Sequence, residues 1–348
     1  MSHLEAVSHI LQTAITDQVF PGSSIAYLKD SQVSYFSLGR LTYAPDAALV
    51  RPETLYDVAS VTKSIPTNTL ILYLADHKKL SLDDPISIYL PDWPEDVVTI
   101  RHLLTYTAVF DLPLGLSEYA RDGNDCVEVV MNAHLRAAPG SAYSYTNAQA
   151  LLLGLIAEQA GKKSLDQLAQ DIFFQPLGMQ RTTFFPKTFS QNEVAPSEID
   201  GWRGEVWQEV NDESAWAMRQ TGQVAGQAGL FSTAPDLLIF LQMLLASGTW
   251  QGRRYLRPAT VAQMSKNQIP RLSERTGLGW ELLGPTIIGT ATGMRIFGKT
   301  GYTGCLVAAD PDKNNAVVLL TNRNHPTRQD PGPINAVRRA VSEIVFGN

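Results

Sequence analysis

The chain has 348 residues, 44% apolar and 18% charged, enough to bury a substantial core as one large domain or two intimate ones. Its formal charge of −6 excludes the basic stripe that a nucleic-acid partner needs. No stretch approaches the roughly 18 apolar residues of a membrane span, and the opening MSHLEAVSHILQTAITDQVF lacks a basic leader followed by an apolar run, so a cytoplasmic protein is expected.

Leu4, Val7, Ile10, Leu11 and Ile15 recur at helical spacing until Pro21-Gly22 breaks the pattern, which predicts an opening helix. Two short β-favouring runs, 24–28 and 32–38, flank Lys29, Asp30 and Ser31 and predict a hairpin with Asp30 at its tip. From Ser60 to about Lys79 the pattern is helical, with Leu70, Ile71 and Leu74 on the apolar side. Pro66 lies too deep in that helix to be free of cost, so an irregular start is expected. TIRHLLTYTA and the long stretch NAQALLLGLIAEQAGKKSLDQLAQDIF are helical in period, with Gly161 as a stop. Residues 186–226 are weakly periodic and read as a long ordered loop region. APDLLIFLQMLL, 234–245, is an amphipathic helix. MRIFGKTGYTGCLVAADPDKNNAVVLLTNR gives three β-rich runs broken by glycines and by Pro311-Asp312, and PINAVRRAVSEIVF closes as a helix. Strands at both ends with helices between predict an α+β domain whose sheet is assembled from both chain ends.

Three short patterns carry the chemistry. Ser60 and Lys63 form S-x-x-K, and three residues of helix place both side chains on one face, where a lysine kept partly neutral can take the serine proton. Tyr145 and Asn147 form Y-x-N, and Lys299, Thr300 and Gly301 form K-T-G. Each pattern occurs once, in that order. The G-x-S-x-G elbow of α/β-hydrolases is missing. Cys126 and Cys305 stand apart as structural thiols, the six histidines form no ligand pair, and neither a metal nor a cofactor is expected. Gly222, Gly226 and Gly229 read as a tight loop, because no G-K-[ST] follows them. Trp202, Trp207 and Trp216 share one stretch, either lining a substrate cleft or packing as core or lid.

In these motifs the chain resembles the serine β-lactamase/penicillin-binding-protein superfamily, in its class C-like branch of hydrolases, esterases and D-alanyl-peptidases. LSLDDPISIYLP, TIRHLLTYTA, AGQAGLFSTAPDLLIFLQMLL, GLGW and VVLLTNRNHPTR extend the likeness. The resemblance implies one β-lactamase/transpeptidase-like domain over 1–348, its α/β part about 1–65 and 230–348, with a helical and loop subdomain over about 66–229. It further implies Ser60 as nucleophile, Lys63 as its activator and Tyr145 as the proton shuttle, with Asn147 binding the acyl amide or Lys63. Lys299 and Thr300 would line the opposite wall, and the N–H groups of Ser60 and Tyr302, next after Gly301, would form the oxyanion hole.

Two departures touch the pocket: YTAVF at 106–110 stands where the family usually has HTSGL, and Gln227 stands where AGHAGLFST has histidine. The expected activity is hydrolysis of an ester, amide or β-lactam through a Ser60 acyl-enzyme. Acyl transfer to another acceptor, or a penicillin-recognising protein that acylates and stops, are the alternatives. The expected partner is a small-molecule acyl substrate, with neither nucleic acid nor membrane, and the oligomeric state is open.

Overall fold

The computed structural model describes residues 2–94, 96–290 and 295–347. Its organising element is a six-stranded antiparallel sheet of β1 (Gly22–Lys29), β2 (Gln32–Gly39), β3 (Glu281–Leu282), β4 (Phe297–Thr300), β5 (Leu306–Asp310) and β6 (Asn315–Thr321), in the order β2-β1-β6-β5-β4-β3. The main helices are α1 (His3–Thr16), α2 (Thr69–Asp76), α3 (Ala148–Gly161), α4 (Glu213–Gln220), α5 (Ala234–Leu245) and α6 (Gly332–Phe346). The sheet therefore joins the two chain ends, with Ile25 opposite Leu319. Met294, the first residue of the β-rich stretch read from the sequence, lies outside the described residues.

Both faces of the sheet are covered, so alternate residues of each strand enter different cores. Ile25, Tyr27, Leu306, Ala308, Val317 and Leu319 pack with Val7 and Leu11 of α1 and Val341 of α6. Ala26, Leu28, Val307, Val318 and Leu320 face the larger core, which takes in α5, α2 and α3. The turn between β1 and β2 is left-handed at Asp30 (φ 51°) and Ser31 (φ 63°), the two-residue geometry whose twist matches a hairpin.

The helix expected over 60–79 starts irregularly, as Pro66 implied, and its regular part is shorter than the periodicity suggested. A single turn carries Ser60 to Lys63, the backbone widens over Lys63–Asn68, and regular helix starts only at Thr69. Ile65 is extended (φ −122°, ψ 107°), as the residue before a proline is driven to be. The stretch 186–226 is also more structured than its weak periodicity implied. It holds a small hairpin, Glu198–Asp200 with Gly204–Val206, and α4, whose first turn is capped by Asp212 accepting from the Ala215 N–H. Gly161 is the last residue of α3, and Lys162 takes the left-handed closing position at φ 58°. Among the described residues no helix is long and apolar enough to cross a membrane.

One close approach ties α3 to the loop ahead of α5. Gly154 of α3 meets Gly226, where an added Cβ would lie 2.2 Å from the Ala150 carbonyl oxygen and 3.0 Å from the Gly154 Cα. Both obstacles are backbone, which cannot rotate away. Gly226→Ala is expected to cost about 1–3 kcal/mol in urea unfolding, whereas Gly201→Ala, with open space around it, stays within about 0.5 kcal/mol of wild type.

Candidate active site

The site begins with a short strand pairing, Tyr56–Asp57 against Phe231–Ser232, which delivers the chain into a tight turn. Asp57 is buried, and its two carboxylate oxygens accept from different segments: Oδ1 from the Ala59 N–H and Oδ2 from the Asn211 N–H, both at 2.7 Å. Ala59 is held left-handed at φ 47°, a strained state for alanine that costs about 1–3 kcal/mol and needs such bracing. Thr62 Oγ1 completes the brace by donating to the Ala59 carbonyl at 2.6 Å.

The chain then makes one helical turn in which the Lys63 N–H donates to the Ser60 carbonyl. Lys63 and Ser60 thus share a face, and Lys63 Nζ donates to Ser60 Oγ at 2.9 Å. A second donation, 3.0 Å to the Gln227 carbonyl, fixes the ammonium from the other side. The glycine-bearing loop 222–229 therefore turns carbonyls, not N–H groups, toward the S-x-x-K turn: the Gly226 carbonyl accepts from Thr67 Oγ1 as well. Gln227, the residue at the family's histidine position, points its side chain away, with Nε2 donating to Ser214 Oγ at 3.2 Å.

Tyr145 lies just before α3, and its phenol interacts electrostatically with Lys63 and Lys299 beside Ser60. Lys63 Nζ is 5.4 Å and Lys299 Nζ 4.3 Å from its ring centroid. The residue as a whole is 39% exposed. Burial pushes Lys63 below the usual lysine range, Lys299 adds to the effect, and Tyr145 and Asp212 oppose it. Burial by itself would raise the Tyr145 phenol, but Lys299 and then Lys63 outweigh it and hold the phenol below its ordinary value. Two neighbouring rings show the contrast. Tyr106 and Tyr143, in edge or tilted contact with this cluster, are both pushed up by burial.

Lys299 is buried on β4 and forms an ion pair with Glu281 of β3. Burial would lower its ammonium, but Glu281 and Tyr145 more than offset this and hold it above the usual lysine range. Thr300 follows on the same strand, opposite Leu306. Gly301 must be glycine, since a Cβ there would lie 2.4 Å from the carbonyl oxygen of Val58, two residues before Ser60. K-T-G and the S-x-x-K turn are therefore packed backbone to backbone. Among the described residues the N–H groups of Ser60 and Tyr302 donate no hydrogen bond within the chain. Asn147 Nδ2 donates to Asp212 Oδ2 at 3.1 Å, so the structure brings Asn147 to Asp212.

Sequence reading missed Asp57, Asp212, Glu281 and the Gln227 carbonyl. GLGW ends one residue before Glu281, and Asp212 is followed by Glu213 as at many helix starts, but neither signal names a partner. Trp207 and Trp216 pack against the larger core, while Trp202 stays 43% exposed with its ring edge on Trp216. The one grouping of acids close enough for an ion among the described residues, Glu198, Asp200 and Glu213, is taken up by Arg203, Arg328 and Arg121. Both cysteines are buried and unbridged.

The family profile described as Beta-lactamase matches residues 7–341. A provisionally named D-alanyl-D-alanine carboxypeptidase of Escherichia coli strain K12 is 28% identical over 357 aligned positions, spanning 90% of this chain and 81% of that protein. Among solved structures, the octameric penicillin-binding protein homologue from Pyrococcus abyssi superposes with a TM-score of 0.75 at 23% identity, covering 95% of this chain and 75% of that one. EstCE1, a hydrolase with promiscuous acyltransferase activity, gives 0.75 at 22% identity, covering 99% and 98%.

The bracing of Ala59 by Asp57 has a pH signature. Burial raises the Asp57 carboxyl to about 7, with Asp212 acting in the same direction and the two N–H donors and Arg203 opposing. Between the unfolded value near 4 and about 7 the folded state holds a proton that the unfolded state has lost, so Asp57's stabilisation is whole below that window and falls as pH rises through it. In urea unfolding, the stability difference of wild type over Asp57→Asn should shrink from pH 4.5 to 7.5 and then level off. A difference that grows over that range would contradict the assignment.

Proposed function

Because this chain belongs to the beta-lactamase family and is a serine hydrolase working through an acyl-enzyme, we propose that Ser60 is the nucleophile, activated by Lys63 and Tyr145 acting as one proton-transfer unit, on a small-molecule ester, amide or β-lactam. The observation that carries this reading is the placement of Ser60 Oγ against a lysine held low and a phenol held low at once. As Oγ attacks the acyl carbon, its proton passes to the Tyr145–Lys63 pair. The carbonyl oxygen gains the charge and is received by the Ser60 and Tyr302 N–H groups. Collapse expels the leaving group, which takes the proton back, and water repeats the cycle to free Ser60.

Lys299 could anchor a substrate carboxylate or set the protonation of Tyr145. Its ion pair with Glu281 and its position over the Tyr145 ring support the second role. Asn147 and Thr300 are left to line the acyl pocket, Asn147 oriented by Asp212.

Labelling with a fluorophosphonate followed by peptide mass mapping should place the adduct on Ser60, and Ser60→Ala should abolish turnover. Lys63→Ala and Tyr145→Phe are each expected to lower kcat/KM by about 10²–10⁴, with the double mutant losing far less than the product of the two. Independent, multiplicative losses would contradict a single proton-transfer unit.

The charge around Tyr145 sets the sign of a further test. Lys299→Met removes a cation beside both Tyr145 and Lys63, so both rise and the acidic limb of the kcat/KM profile moves to higher pH. Glu281→Gln removes an anion beside Tyr145, and the limb moves to lower pH. With Lys299→Met, neutral and carboxylate-bearing acyl substrates should lose equally; a loss confined to the carboxylate-bearing substrate would restore the anchoring role.

A further inference from the structure

Arg338 sits in the middle of α6, is 5% exposed, and among the described residues has no carboxylate partner. Burial pushes its guanidinium down to about 10, with Cys305 opposing and Arg323 adding to the shift, so it remains a cation at neutral pH. An enclosed cation that has no anion must satisfy its donors on neutral dipoles, at a considerable cost in desolvation. Arg338 directs three of its four hydrogen bonds at one loop. Nη2 donates to the Gly301 carbonyl at 2.6 Å and to the Cys305 carbonyl at 3.0 Å, Nε donates to the Gly304 carbonyl at 3.2 Å, and Nη1 goes to Asn335 Oδ1 at 2.8 Å.

That loop joins β4 to β5 directly after K-T-G. Its turn closes with the Gly301 N–H on the Cys305 carbonyl and the Gly304 N–H on the Gly301 carbonyl. The shortest of Arg338's bonds falls on the carbonyl of the peptide whose nitrogen belongs to Tyr302. In a trans peptide the C=O and the following N–H point in opposite directions, and the only cis peptides among the described residues precede Pro66 and Pro326. A guanidinium that fixes the Gly301 carbonyl from the α6 side therefore aims the Tyr302 N–H away from α6. It also draws electron density toward the carbonyl, which makes that N–H a stronger donor. Arg323 holds the next peptide the same way, with Nε donating to the Tyr302 carbonyl at 2.8 Å.

We propose that Arg338 is a positioning residue for the acyl-transfer reaction: from the far side of the K-T-G loop, its guanidinium aims and polarises the Tyr302 N–H that receives the developing oxyanion. The role rests on the reading that Ser60 forms the acyl-enzyme and that the Tyr302 N–H is half of the oxyanion hole. Arg338 never meets substrate. Its effect belongs to the tetrahedral state and not to ground-state binding, so kcat should carry it and KM should not.

The test compares wild type, Arg338→Lys and Arg338→Met, each normalised to active sites titrated with a fluorophosphonate, so that loss of folded protein is removed from the comparison. Three quantities are read: kcat and KM for a p-nitrophenyl ester, and the inhibition constant of an arylboronic acid, whose tetrahedral adduct on serine places an oxygen in the oxyanion hole. Arg338→Met should lower kcat per site by about 10–100-fold, below the 10²–10³ seen when an oxyanion donor is lost outright, and leave KM within about two-fold. Boronate affinity should fall by a similar factor. Arg338→Lys should fall between, since an ammonium keeps the charge and loses the planar fork. Values of kcat and boronate affinity within two-fold of wild type in both variants overturn the inference alone. Failure of wild type to form either adduct on Ser60 overturns the acyl-enzyme reading and the inference with it.

Discussion

Two enclosed ammonium groups converge on one phenol, and the remaining architecture of the site follows from that arrangement. Removing a cation from water costs several kcal/mol even after relaxation, so two such groups side by side need negative charge close at hand. Glu281 supplies it for Lys299 directly, and Asp212 acts on Lys63 from a greater distance. The remaining demand falls on Tyr145, whose hydroxyl is drawn toward the ionised form while the neighbouring Tyr106 and Tyr143 are driven away from it. The surroundings that hold this phenol below its ordinary value are also those that place it beside Ser60, as the proposed proton transfer requires.

This electrostatic arrangement requires parts of the chain far apart in sequence to be held rigidly. Ser60 and Lys63 come from a strained turn, Tyr145 from the entry to α3, Lys299 from a strand of the C-terminal half. Asp57 is the tie between the first of these and the loop ahead of α4, since its two oxygens hold the Ala59 and Asn211 N–H groups. Gly301 ties the K-T-G strand to the same turn by admitting the Val58 carbonyl where any side chain would block it. Stored strain at Ala59 is thus supported by a buried carboxylate on one side and a threonine hydroxyl on the other, which fixes the turn that carries Ser60 and Lys63.

Much of this was legible in the sequence where the determinants are local. A two-period run with a polar tip gives the hairpin, a proline near the start of 234–245 marks α5, and the three short motifs pick out Ser60, Lys63, Tyr145 and Lys299, which the fold brings together. The sequence stops informing where meaning arises from juxtaposition. Nothing near Glu281 reveals that it will stand beside Lys299, since pairing of β3 with β4 creates that neighbour. Asp57 is one of many acids until a segment 154 positions away supplies a backbone N–H. Arg338 reads as one basic residue in an amphipathic helix, because its partners are carbonyls, which no side-chain pattern announces. In the case of α4, the helix escaped the periodicity because its buried face includes Glu213 and Ser214, polar residues kept inside by Arg328 and Asp212.

The sheet built from both ends of the chain also governs how the molecule comes into being. β1 and β2 can pair as soon as they leave the ribosome, but Ile25 faces Leu319, so the hairpin's second edge waits for nearly the whole polypeptide. Contacts of such high sequence separation make for slow folding and a long exposure of an apolar edge during synthesis. The nascent chain holds Ser60 and Lys63 early but lacks Lys299 and the Tyr302 N–H until β4 and its following turn are made. If acylation needs all of these groups, as proposed, acylating power is consequently withheld from every incomplete product of translation and arrives only with the closing strands of the sheet.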